Sequence, residues 1–182
     1  MKHEEFQTDL KLLSSEELFR RYVLNGSCAS ISDAQVHAVK ESLSNKFTVE
    51  YNDVVVVGSA NLGFSIKPTK RYVPFGDDSD IDIAIVSREL FERVWREIYI
   101  YSKSGAVWPN KKMFIKYLFR GWIRPDLLPR SPIFDFSNQW WEYFRTLAIE
   151  SLDIKIAGGI YQSYFFLEQY QVICIDQCKT EL

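Results

Sequence analysis

Histidine and cysteine are scarce in this chain of 182 residues, and their positions exclude two common architectures. The two histidines, His3 and His37, lie far from any cysteine pair, so ligands for a structural zinc are missing. The three cysteines, Cys28, Cys174 and Cys178, are an odd number without the spacing of a disulfide framework. Cys174 and Cys178 stand four apart, which on a helix is one face. Long apolar runs are missing too. The strongest, Val54 to Val57 and Ile81 to Val86, fall far short of the roughly 20 residues that cross a bilayer. The charged start MKHEEFQTDL has no apolar stretch behind it, so no signal peptide is expected and a cytoplasmic location is. Excess charge of one sign is also lacking. At a net charge of −2, nucleic-acid binding would require a local basic patch.

What is abundant is core material. Hydrophobic residues make up 47% and aromatics 15%, which argues against disorder. Length, and the lack of repeats or low-complexity linkers, lead us to expect a single domain over 1–182.

The first third reads as helical. Ser14 and Glu17 form a potential capping box ahead of Leu18, Phe19 and Tyr22. Ser32 to Gln35 repeats the signal before an amphipathic helix ending near Lys46. The β-branched run Val54–Val57 predicts a buried strand turning at Gly58-Ser59, followed by one or two helical turns within Asn61 to Ser65. Residues 66–79 read as a loop. Ile81 to Val86 predicts a second strand, with Ser87 capping a helix from Arg88 to about Lys103. After an irregular, proline-punctuated stretch with a short helix over Lys111 to Phe119, Asn138 to Glu150 reads as helix. Leu152 to Ala157 reads as a third strand broken by Gly158-Gly159, and Gln162 to Lys179 as a final helix. This order predicts an α/β or α+β fold: a small mixed sheet flanked by helices, with a helical part over about 1–46, a core over about 53–157 and a C-terminal helix over about 162–180.

Asp80 and Asp82 are two apart on a predicted strand, so both carboxylates leave one face while Ile81, Ile83 and Ile85 occupy the other. Two carboxylates that close are unfavourable without positive charge between them. A solvated strand face is one explanation. A Mg²⁺ site is the other, since Mg²⁺ takes one or two carboxylates together with substrate phosphates. Gly58-Ser59 ends the preceding strand in a turn whose N–H groups and hydroxyl suit a phosphate. Gly58 alone would be an ordinary turn glycine, but the combination favours the metal explanation.

The segment VVVVGSANLGFS followed by DDSDIDIAIV resembles the core of the DNA polymerase beta-type nucleotidyltransferase superfamily, over residues 53–87, about a fifth of the chain. The resemblance implies a nucleotidyltransferase fold in which Asp80 and Asp82 hold Mg²⁺ or Mn²⁺ while Gly58 and Ser59 hold the triphosphate of an NTP. It further implies a third carboxylate on a later strand, as general base or metal ligand. Asp153 is the candidate, the alternative being an ordinary strand-start residue. An insert, KPTKRYVPFG, separates the two motif halves by more residues than is usual. Its Lys67, Lys70 and Arg71 either reach phosphates, Lys67 and Arg71 being the nucleotide-binding candidates, or are solvated loop charges.

Residues 103–130 interleave Lys103, Lys111, Lys112, Lys116, Arg120, Arg124 and Arg130 with Trp108, Phe114, Tyr117, Phe119 and Trp122. Such a stretch either binds a polynucleotide by phosphate contact and stacking or fills a core with its rings. The resulting expectation is a Mg²⁺-dependent nucleotidyltransferase acting on an acceptor hydroxyl, with a protein acceptor preferred, a small molecule next and nucleic acid less favoured. A catalytically silent nucleotide-binding or antitoxin-like module of the same fold is the alternative.

Overall fold

The computed structural model describes residues 2–151 and 154–180, with the side chains of all but Lys2 and residues 149–151. The N-terminal helices are α1 (Lys2–Leu12), α2 (Ser15–Leu18), which continues into a π-helical segment Phe19–Leu24, and α3 (Asp33–Phe47). Both expected capping boxes form. The Ser14 hydroxyl accepts from the Glu17 N–H and the Ser32 hydroxyl from the Gln35 N–H, while the Glu17 and Gln35 side chains bond back to the cap residues' N–H groups.

Strand β1 (Val54–Val57) runs straight into the short helix α4 (Gly58–Leu62), so Gly58-Ser59 is a helical first turn rather than a free-standing one. Gly63, at φ 88°, ends α4 in the left-handed conformation. Strand β2 (Ile81–Val86) leads to α5 (Arg88–Lys103), with the Ser87 hydroxyl capping Leu90 N–H. Helix α6 (Lys111–Leu118), the two-residue strand β3 (Trp122–Ile123), helix α7 (Asp135–Ser151), strand β4 (Ile156–Tyr161) and helix α8 (Tyr164–Lys179) complete the order.

The four strands lie in the order β1-β2-β4-β3. β1 is antiparallel to β2, β2 is parallel to β4, and β3 is antiparallel to β4. The protein is therefore a mixed α+β structure with an open mixed sheet and flanking helices. Period-2 alternation along β2 decides what each face meets. Ile81, Ile83 and Ile85 join Ile156 and Ile160 in a core completed by α3, α5 and α7, through residues such as Leu43, Val94 and Phe144. Ala84 and Val86 face a second core with Phe6, Phe19, Leu167 and Ile175 from α1, the π-helical segment and α8.

The third strand differs from the sequence expectation. It begins at Ile156 and passes through Gly158-Gly159 instead of breaking there. A Cβ on Gly158 would lie 2.5 Å from Phe144 Cζ, and one on Gly159 would lie 2.4 Å from Trp122 Nε1. Aromatic rings press on both faces of the strand, and only glycine leaves them room. No helix among the described residues is long and apolar enough to cross a membrane.

Candidate functional site

The pairing of β1 with β2 sets Val57 opposite Asp82, so Gly58 follows directly beside the Asp82 carboxylate. Gly58 has φ 69°, and a Cβ there would stand 2.8 Å from Asp82 Oδ2. Backbone strain and lack of space both select glycine at this position. Ser59 is the next residue, in the first turn of α4, where backbone N–H groups have no helical acceptor.

Asp82 is mostly desolvated, and burial pushes its pKa above the usual carboxylate value. The Lys67 charge opposes that shift, Asp80 adds to it, and Lys155 opposes it. Asp80, half exposed just before β2, accepts a 2.8 Å hydrogen bond from Lys155 Nζ. Lys155 immediately precedes β4, and its carbonyl accepts from Ile81 N–H at 2.8 Å. The parallel β2–β4 pairing is what brings the two side chains together.

The structure thus assembles Gly58, Ser59, Asp80 and Asp82 at one end of the sheet, with Lys67 close enough to influence Asp82. Arg71 points elsewhere: its guanidinium donates to the Gln177 carbonyl near the end of α8 at 3.2 Å. The insert that carries these residues folds back on itself, with Ser65 N–H bonded to Val73 O and Tyr72 N–H to Ser65 O. Asp153 lies outside the described residues. Among the described residues no group of three or more His, Cys, Asp and Glu side chains could hold a metal, so Asp80 and Asp82 stand there as a pair.

The aromatic wall beyond Asp82 was not foreseen as a unit. Trp122 stacks on Tyr161 with ring centroids 5.3 Å apart and meets Tyr170 at 4.4 Å and Tyr117 at 5.2 Å. Arg124 lies over Tyr117 and Trp122 and pairs with Asp126 at 2.7 Å. Burial and the nearby Asp82, Tyr170 and Cys174 keep the Tyr161 hydroxyl protonated well above its ordinary range. Trp108 donates to the Leu127 carbonyl at 2.9 Å, and Phe114 is buried. Most rings of the basic–aromatic stretch therefore pack inward. Phe119, 90% exposed, is the exception. Lys155 and Tyr161 carry no motif, and only knowledge of strand register would have pointed to them.

Comparisons with protein-family models, curated proteins and solved structures found no match for this chain. The fold and site define a mixed α+β protein with a carboxylate pair set against a glycine at a strand end.

Asp80, Asp82 and Ser59 offer oxygen donors, the kind that hard divalent cations take. Burial is the main cause of the raised Asp82 pKa, and Lys67 and Lys155 work against it.

Proposed function

We propose that the chain is a nucleotidyltransferase that moves a nucleoside monophosphate from an NTP to an acceptor hydroxyl. The observation that carries this reading is the close approach of Gly58 to Asp82, which sets a side-chain-free strand end directly beside the carboxylate pair. Asp80 and Asp82 would hold Mg²⁺, which when bound neutralises phosphate charge and polarises the phosphoryl group. Gly58 and Ser59 position the triphosphate through backbone N–H groups and the hydroxyl. Lys67 adds positive charge on the same side.

The acceptor oxygen bonds to the α-phosphorus as the bond from that phosphorus to the α,β-bridging oxygen breaks. Pyrophosphate leaves with the electron pair, and the acceptor proton passes to Asp153, the base implied by the superfamily resemblance, or to water. Positioning and charge neutralisation supply most of the acceleration.

The test is incubation with α-labelled NTPs and Mg²⁺, with and without cell lysate, comparing wild type with Asp80→Asn/Asp82→Asn. Label transferred by wild type and not by the variant is expected. Equal labelling by both overturns the reading.

One observation favours the silent-module alternative. Lys155 already places a cation on Asp80. That alternative expects NTP binding without label transfer, and Lys155→Gln leaving both unchanged.

A further inference from the structure

A cavity of about 650 Å³ lies between α7, Arg130 and the first residues of β4. That volume is in the range of small-molecule sites, roughly 300–1,000 Å³. Helix α7 presents Ser137, Trp141, Phe144 and Ala148 to it at three- and four-residue spacing, so one helical face forms a wall. Ile154 and Ile156 form the opposite apolar side.

The charged groups are all of one sign. Arg130, Arg145 and Lys155 stand around the cavity, and no acidic side chain lines it among the described residues. Ser137 is only 1% exposed, yet its Oγ has no hydrogen-bond partner, and neither has the buried Nε1 of Trp141. Buried polar groups are nearly always satisfied, so these two unpaired donors are unusual next to a cavity edged by cations. Arg130 lies over the Trp141 ring at 6.0 Å, so cation and aromatic wall are adjacent.

Lys155 joins this cavity to the carboxylate pair, since the residue that lines it also bonds Asp80. We infer that the cavity binds a small hydroxyl-bearing aromatic carboxylic acid, and that this molecule is the acceptor. The ring lies against Trp141 and Phe144. The carboxylate takes the arginine forks, because guanidinium matches a carboxylate in two parallel hydrogen bonds. Its identification as acceptor rests on the transfer reaction proposed above; its binding does not.

Calorimetric titration of the full chain with hydroxynaphthoate and with its neutral analogue hydroxynaphthamide tests the inference. Wild type binds the acid at least about ten-fold more tightly than the amide, the scale of a charge-assisted bidentate contact. Arg130→Gln/Arg145→Gln, altering two exposed side chains, removes that preference. Ala148→Trp fills the cavity and removes binding of both, with an unchanged circular dichroism spectrum. Asp80→Asn/Asp82→Asn binds the acid as wild type does. Equal affinity for acid and amide, no binding of either by wild type, or a preference that survives loss of both arginines overturns the inference. Label from NTP found on other species but not on the bound acid overturns the acceptor assignment alone. Label found on nothing overturns the transfer reaction and leaves the anion site standing.

Discussion

Gly58 and Asp82 are in such close register that a single methyl group on Gly58 would meet the Asp82 carboxylate, with Cβ 2.8 Å from Oδ2. The left-handed backbone at φ 69° adds a second reason for glycine. Gly58→Ala therefore costs about 1–2 kcal/mol in urea unfolding from the backbone alone, with a further contribution from the contact. Adding Asp82→Ala recovers the contact part and not the backbone part, so the double-mutant cycle separates them. Gly63→Ala, at φ 88° but away from the carboxylates, destabilises without abolishing the proposed transfer.

Stability should carry the mark of Asp82 in its pH dependence. Burial raises the carboxyl above its unfolded value near 3.8, so the folded state holds a proton that the unfolded state releases. The resulting penalty is absent below the unfolded pKa, grows as pH rises between the two values and is complete above the folded one. Asp82→Asn is then more stable than wild type at neutral pH in a metal-free buffer, and the difference vanishes in acid. Lys67→Met enlarges it, because the opposing charge is gone. Melting curves across that range decide the point, and an unchanged difference in acid would count against it.

Strand β4 tolerates no side chain at its centre. Gly159→Ala forces a methyl against Trp122, and Gly158→Ala forces one against Phe144 and Trp140. Each costs about 1–3 kcal/mol by overpacking, measured by urea denaturation. Trp122→Leu in the Gly159→Ala background regains part of the loss, whereas the same change in the Gly158→Ala background does not.

The α3 capping box gives a prediction independent of the site. Ser32→Ala removes the acceptor for Gln35 N–H and costs about 1 kcal/mol. Because Ser32 is not one of the candidate site residues, the proposed NTP binding is expected to stay at the wild-type level.

Helix starts were legible because capping is local: Ser14, Ser32 and Ser87 each act within three residues. The strands Val54–Val57 and Ile81–Val86 were legible for the same kind of reason, a β-branched or alternating run between turn signals. Gly158-Gly159 was misread as a break because glycine's cause lay in rings 14 to 37 residues away, Phe144 below and Trp122 above. Strand β3, two residues long, offered no periodicity to read.

The sequence by itself determined the chemical inventory of the candidate site: Gly58, Ser59, Asp80 and Asp82, with the two carboxylates two residues apart at the start of β2. Tertiary structure alone decided what surrounds them. The parallel β2–β4 register puts Lys155 on Asp80, and the antiparallel β1–β2 register puts Gly58 on Asp82. Arg71, drawn from the same insert as Lys67, is carried instead to the end of α8. Such pairings depend on contacts between residues distant in sequence, and the local signals that specify helices and strands carry no information about which edges will meet.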